Sequence, residues 1–106
     1  MNSTQLSQVL STGKYTLIDT REPIELKQGQ IEGAINIPLR TIPTRVEEIS
    51  KLERPIILFC RSGMRSGMAT GVLRSVGIAE AYNGGSWYDV AQAFELIPVL
   101  QKKAGE

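Results

Sequence analysis

The segment "PIILFCRSGMRSG", residues 55–67, joins an unbroken apolar run to a loop of small and basic residues. Side chains of a strand point alternately to its two faces, so a strand with one face in water alternates apolar and polar residues. The run "IILF" at 56–59 does not alternate. It therefore predicts a strand buried on both faces, as in a parallel sheet that helices cover on either side.

The rest of the chain alternates strand-like and helix-like segments. Four apolar runs favour strands, at residues 15–19, 33–38, 55–60 and 79–83. Six segments favour helices, at residues 3–12, 22–29, 44–52, 65–77, 86–94 and 95–104. Strands that alternate with helices of this length predict an α/β fold with a central parallel sheet.

Length and composition narrow the possible classes of protein. A chain of 106 residues favours one domain, over 1–106. The net charge of +1 gives no reason to expect a nucleic-acid or membrane partner, and no apolar stretch reaches the ~18 residues of a membrane-spanning helix. The N-terminal segment does not resemble a signal peptide, so we expect a cytoplasmic protein. One cysteine excludes an internal disulfide.

That cysteine, Cys60, directly follows the buried run, at the strand end where open parallel sheets bind ligands. If a helix begins near Arg65, residues 60–65 form a tight loop at its N-terminus, and Gly63 lets the backbone N–H groups turn inward. These N–H groups, the helix dipole and the two arginines, Arg61 and Arg65, would all stabilise a thiolate. The sequence therefore predicts a Cys60 with a lowered pKa, although the chain has no histidine to act as its base.

A plainer interpretation treats Cys60 as a small buried hydrophobe beside ordinary surface arginines. Free cysteine is among the most buried residue types, and arginine is mostly exposed. However, both arginines lie within five residues of the one thiol, in a loop that also contains serine and glycine. This grouping favours a site for an anion.

Four stretches resemble the rhodanese family of sulfurtransferases and follow the family's order, most strongly over residues 15–90. They are "LIDTREPIE" (17–25) with the D-x-R-E pattern, "GQIEGAINIPL" (29–39), the active-site loop "CRSGMRS" (60–66), and the glycine pair of "YNGGSW" (82–87). The resemblance implies a single rhodanese-like domain with a central, mostly parallel five-stranded sheet flanked by helices on both faces. Gln30 departs from the family, which usually has a structural histidine there.

The resemblance also implies a sulfurtransferase of the thiosulfate type, with Cys60 as the nucleophile that carries the sulfur as a persulfide. The expected partners are a small anionic donor such as thiosulfate, and a thiol or cyanide acceptor, with thioredoxin or another protein as candidates. Arg65, and secondarily Arg61, are expected to hold the donor's oxygens, because a guanidinium group binds oxyanions through a fork of N–H groups. The full set of expected donor-binding residues is Arg61, Ser62, Gly63, Met64 and Arg65. This chemistry requires no metal and no cofactor.

Two other functions stay open at this point. Dual-specificity phosphatases of the cell-division cycle resemble rhodaneses in fold but have a Cys-x5-Arg loop, whereas four residues separate Cys60 from Arg65 here. The shorter loop makes a smaller ring of N–H donors, which favours sulfur over phosphate or arsenate. The second alternative is a persulfide carrier or a non-catalytic interaction or sensing module, since the presence of Cys60 does not separate an enzyme from a carrier.

Three further residues are expected to support the site rather than react. Asp19 and Arg21 follow the first predicted strand, and we expect Arg21 to pair with Asp19 or Glu22 and fix the turns beneath the loop. Ser66 closes the Cys60 loop and is expected to stabilise it. The nearby Asn36 is expected to satisfy backbone groups of these loops.

Overall fold

A computed structural model describes the backbone of residues 1–104 and the side chains of residues 1–98. Four parallel strands form one sheet in the order β2–β1–β3–β4. The strands are β1 (Thr16–Asp19), β2 (Ile35–Asn36), β3 (Ile56–Cys60) and β4 (Ala81–Ser86). The helices are α1 (Ser3–Ser11), α2 (Val46–Ser50), α3 (Met64–Ser75) and α4 (Trp87–Ala104), with 3₁₀ helices at Pro23–Gln28 and Leu39–Thr44.

The prediction of five strands is wrong, because residues 1–104 contain four. The fifth strand was implied by the family resemblance and had no apolar run of its own in the sequence. The helix predicted at 3–12 is confirmed as α1, which Asn2 caps: the Asn2 side chain accepts from the Gln5 N–H, and the Gln5 side chain accepts from the Asn2 N–H. Residues 105–106 of the predicted domain lie outside the described residues.

The interpretation of the run 56–59 is confirmed, because every residue of β3 is buried. Ile56 and Leu58 pack on one face of the sheet with α3, whereas Ile57 and Phe59 pack on the other face with α1 and α4. Burial of each such side chain contributes about 1.5–3 kcal/mol relative to leaving it in water. Helices therefore flank the sheet on both faces, and β3 runs through the middle of the core.

Two helical boundaries differ from the prediction. The segment 22–29 forms a 3₁₀ helix at Pro23–Gln28, and the segments 86–94 and 95–104 form one continuous helix, α4, which contains Pro98. Proline removes one backbone hydrogen bond from a helix interior. The helix continues across the predicted break because Ala93 and Ile97, on either side of it, pack against the same core. No helix in residues 1–104 is both long and apolar enough to cross a membrane.

The sheet brings the carboxyl ends of β1, β3 and β4 to one edge. Asp19 of β1 pairs with Phe59 of β3, and Cys60 pairs with Ser86 at the end of β4. The register of β3 and β4 shifts between Leu58 and Phe59, and Gly84 is the extra residue of the bulge. A Cβ atom at Gly84 would lie 2.8 Å from the Ile57 side chain, so only glycine fits this close approach without displacement of β3.

Candidate active site

Cys60 ends β3, and the loop of residues 61–63 carries the chain into α3. Its thiol is free, and the residue has no exposed surface. Gly63 donates its backbone N–H to Cys60 Sγ over 3.0 Å, and the Ser66 hydroxyl lies 3.4 Å from the same sulfur. The loop therefore curls around the sulfur, with main-chain donors directed at it.

Gly63 makes this curl possible. It has a φ of +91°, in the left-handed region that favours glycine, and a Cβ atom there would lie 3.4 Å from the Cα of Gly85. The Gly63 carbonyl in turn accepts from the Asn83 side-chain amide over 2.9 Å. The conformation that points the Gly63 N–H at Sγ is thus fixed from β4 as well as from the loop.

Two opposing effects act on the Cys60 pKa. Burial is the largest single effect and raises the pKa, because it disfavours the charged thiolate. Hydrogen bonds from the Ser66 hydroxyl and from the backbone N–H groups of Ser66, Ser62 and Gly63 lower it, and together they prevail. The pKa therefore lies below the 9.0 of an ordinary cysteine, in the direction that the sequence predicts.

Ser66 connects the sulfur to β4. Its hydroxyl lies 2.8 Å from Asn83 Oδ1, 3.4 Å from the Gly85 carbonyl oxygen and 3.4 Å from Cys60 Sγ. Since a hydroxyl has one hydrogen to donate, these acceptors compete for it. Asn83 Oδ1 also accepts from the Gly85 N–H over 3.0 Å, so this amide holds Ser66 and the β4 bulge in one network.

The two arginines of the loop are placed very differently. Arg61 is exposed, and its side chain makes no hydrogen bond or ion pair with any residue whose side chain the structure describes. The Arg65 guanidinium, in contrast, is directed at Glu25, with Nη1 2.5 Å from Oε1 and Nη2 2.8 Å from Oε2. The structure thus pairs the arginine that was expected to hold the donor with a carboxylate. Ser62 and Met64, the other expected donor-binding side chains, are exposed.

Asp19 and Arg21 form a second, fully buried pair beside the loop. Arg21 has no exposed surface and Asp19 has 2%. Arg21 Nη2 donates to Asp19 Oδ2 over 2.8 Å and to the Gly29 carbonyl over 2.8 Å, and its Nε donates to Asp19 Oδ1 over 3.0 Å. The pair is Arg21 with Asp19 and not with Glu22, which instead contacts Arg40.

Trp87 and Asn36 contact this buried pair and the backbone around it. The Arg21 guanidinium lies 5.1 Å from the centre of the Trp87 ring, a cation–π distance. Gly29 allows the ring to approach, because a Cβ atom there would lie 2.5 Å from it. The Asn36 side chain donates to the carbonyls of Asp19 and Arg21 over 3.0 and 2.8 Å, so it satisfies backbone groups as expected. These contacts hold the turn after β1 in place.

Sequence reasoning missed Asn83 and Glu25. Asn83 directly precedes the glycine pair of "YNGGSW", and Glu25 lies within "REPIE". Both stretches resemble the family, but through other residues, so neither side chain was predicted to support the site. The sequence separation of 40 between Glu25 and Arg65 hides their contact. In the part of the chain that the structure describes, no group of three or more His, Cys, Asp or Glu side chains forms a candidate metal site.

Comparison with known proteins identifies the family of this chain. The family model "Rhodanese-like domain" matches residues 2–92, and the chain belongs to this family. The uncharacterized protein YqhL of Bacillus subtilis is 46% identical over 70 residues, which are 66% of this chain and 55% of YqhL. The chain therefore spans little more than half the length of that relative.

Two other proteins are similar over most of their length. The thiosulfate sulfurtransferase PspE of Escherichia coli is 32% identical over 75 residues, which are 70% of this chain and 72% of PspE. The structure of the human single-domain sulfurtransferase TSTD1 is 27% identical and superimposes with a TM-score of 0.68, covering 83% of this chain and 90% of TSTD1. The four-stranded α/β fold is thus that of the rhodanese family.

Proposed function

We propose that this protein is a sulfurtransferase that moves sulfane sulfur from thiosulfate, or a similar anionic donor, to a thiol or cyanide acceptor through a persulfide on Cys60. The observation that carries the proposal is the position of Sγ at the end of β3, 3.0 Å from the Gly63 nitrogen that donates to it. The name of the relative PspE, a thiosulfate sulfurtransferase, supports thiosulfate as the donor.

In the first step the Cys60 thiolate attacks the outer sulfur of thiosulfate. A bond forms between Sγ and this sulfur, and the bond to the sulfonate sulfur breaks, with its electron pair leaving on sulfite. A thiolate and a dianion become a persulfide anion and a sulfite dianion, so charge balances and no proton moves. This balance suits a chain that contains no histidine.

In the second step an acceptor thiolate or cyanide attacks the outer sulfur of the persulfide, and Cys60 leaves as a thiolate. The persulfide carries its negative charge one atom farther out than the thiolate does. Backbone N–H groups of the loop, including those of Ser62 and Gly63, are fixed before the reaction and stabilise this charge without rearrangement.

Access to the sulfur is the other requirement. Because Cys60 has no exposed surface, a donor reaches Sγ only as outer parts of the loop move aside. The exposed side chains of the loop are those of Arg61, Ser62 and Met64, with Met64 76% exposed. Exposed side chains have few contacts to lose, so we expect a local movement of the loop, without opening of the core, to give a donor access to Sγ.

The loop length favours sulfur chemistry over attack on a phosphate ester. Four residues separate Cys60 from Arg65. This short loop brings the Gly63 N–H to 3.0 Å from Cys60 Sγ, so its ring of N–H donors fits one sulfur atom. A phosphatase also needs an acid to protonate its leaving alkoxide, whereas sulfite leaves without a proton.

The experiment is to incubate the protein with thiosulfate, remove excess donor, and measure cyanide-labile sulfur and the mass gain of one sulfur atom. We expect one persulfide per chain and continued turnover with cyanide, and neither in Cys60→Ser, because an alcohol stays protonated in the same loop. A persulfide without turnover would identify a sulfur carrier instead. Absence of any persulfide in the unsubstituted protein would overturn the proposal.

A further inference from the structure

Three hydrogen bonds hold the Glu25 carboxylate against Arg65, which lies in the first turn of α3. Two come from the Arg65 guanidinium, over 2.5 and 2.8 Å, in the forked geometry that carboxylate and guanidinium groups adopt. The third comes from the Glu22 backbone N–H, 3.0 Å from Oε1. The proposed sulfur transfer gives this fixed carboxylate no role.

Arg65 is close enough to the sulfur to respond to its charge. The hydrogen bonds that Arg65 donates to Glu25 are the main reason that the Arg65 pKa is raised, and the charges on Glu25 and Cys60 raise it further. The Arg65 hydrogen bond likewise lowers the pKa of Glu25 from 4.5 to about 2, so this carboxylate is ionised at neutral pH. The Arg65–Glu25 pair as a whole therefore carries no net charge.

Arg61 differs from Arg65 in this respect. It follows Cys60 directly, it is exposed, and no side chain among residues 1–98 neutralises it. The positive potential at the loop thus comes from one arginine, from the backbone N–H groups and from the N-terminus of α3, rather than from two free arginines.

We propose that Glu25 sets the donor charge that this site prefers: by neutralising Arg65 it leaves Arg61 as the one guanidinium that meets the donor, and so it disfavours dianionic donors relative to monoanionic ones. This inference rests on the proposed sulfur transfer. Glu25 is a positioning residue, because it acts through Arg65 and not on the donor itself. Any donor anion that approaches Arg65 meets the Glu25 carboxylate as well, and the repulsion increases with each charge that the donor carries.

Thiosulfate and methanethiosulfonate are suitable probes, because both present a sulfane sulfur bonded to an oxidised sulfur. Thiosulfate is a dianion, and methanethiosulfonate is a monoanion with a methyl group in place of one oxygen. Attack by the Cys60 thiolate on either one forms the same persulfide, with sulfite leaving in the first case and methanesulfinate in the second. Because each donor keeps its own leaving group in every variant, a change in the ratio of the two KM values between variants reports donor binding near the loop.

The test compares Glu25→Gln with Glu22→Gln. Both substitutions remove one negative charge from the same short segment, but Glu22 pairs with the exposed Arg40 and not with Arg65. In Glu25→Gln we expect the KM for thiosulfate to fall about fivefold more than the KM for methanethiosulfonate, since one unit charge acts at close range in a partly wet site. Added salt should weaken this gain. Glu22→Gln should leave the ratio of the two KM values unchanged.

An equal change of both KM values in Glu25→Gln would show a purely structural role and overturn the inference. A second variant, Arg61→Gln, keeps it testable if Glu25→Gln does not fold. We expect Arg61→Gln to raise the KM for thiosulfate more than that for methanethiosulfonate, and an unchanged thiosulfate KM would also overturn the inference. If neither donor forms a persulfide on the unsubstituted protein, it is the proposed function that fails.

Discussion

The carboxyl ends of β1 and β3 lie side by side, but the charged groups at β1 are paired and buried, whereas those at β3 surround a thiol or are exposed. At the end of β1, Asp19 and Arg21 pair with each other, and their side chains are 3% and 0% exposed. At the end of β3, the donors converge on Cys60 while Arg61 extends into solvent. The polar groups at the end of β1 therefore stabilise the turn that follows it. The donors at the end of β3 instead stabilise a negative charge on the Cys60 sulfur.

Glu25 and Arg65 connect the two ends. Glu25 lies in the 3₁₀ helix that follows β1, and Arg65 lies in the first turn of α3. Their side chains are 20% and 33% exposed, so this pair is intermediate between the buried Asp19–Arg21 pair and a surface pair. The Arg21 guanidinium also approaches the Glu25 carbonyl, at 3.4 Å, which places Glu25 in contact with both ends.

The largest expected effect is on the stability of the protein and follows from removal of the buried ion pair at the end of β1. Arg21→Met should lower the free energy of unfolding by about 3–5 kcal/mol, because it leaves the Asp19 carboxylate buried without its partner. The control is Arg40→Met, since Arg40 and Glu22 form a pair whose side chains are 68% and 40% exposed. That change should cost about 0–1 kcal/mol. Urea denaturation of both variants measures the difference, and similar losses would mean that burial does not distinguish the two pairs.

A smaller effect tests the link between the ends. The pKa of Glu25 is lowered to about 2 in the folded protein, from 4.5, chiefly by the hydrogen bond from Arg65. Its contribution to stability is therefore complete above pH 4.5 and is lost as the pH falls from 4.5 toward 2, because the unfolded chain takes up the proton first. Since the pair is partly exposed, we expect this contribution to be about 1 kcal/mol.

The measurement is the difference in unfolding free energy between the unsubstituted protein and Glu25→Gln, followed from pH 6 downward. This difference should be constant above about pH 5 and shrink below it. Arg65→Met should remove most of the same pH dependence, because it takes away the main cause of the lowered pKa. A difference that stays constant throughout the acid range would contradict the ionic link.

The smallest expected effect is on the ionisation of Cys60 at the end of β3, not on stability. Ser66→Ala should raise the Cys60 pKa, because burial then acts against one hydrogen bond fewer. Ser62→Ala is the matched control, since Ser62 acts through its backbone N–H, which the substitution keeps. The rate of thiol alkylation as a function of pH reports both values. An equal shift in the two variants would mean that the Ser66 hydroxyl does not lower the Cys60 pKa.

Local sequence predicted much of this molecule. Three of the four apolar runs contain a strand, and the fourth, at 79–83, overlaps β4, which continues to Ser86. The non-alternating run 56–59 became the strand that is buried on both faces. The Cys60 loop was predicted from its own residues, because a cysteine, a glycine and a helix start within six positions interact locally. The break at 94/95 was wrong, since packing of α4 on the core outweighs the weak local signals that end a helix.

The sequence by itself determined the sheet with helices on both faces and the position of a polarised thiol at its edge, because these depend on residues that are neighbours in the chain. Only the tertiary structure decided that Asn83 would support the loop and that Glu25 would neutralise Arg65. Those contacts join residues 20 and 40 positions apart. They exist because parallel packing brings separate strand ends to one edge, where charge and hydrogen bonding act through space and not along the chain.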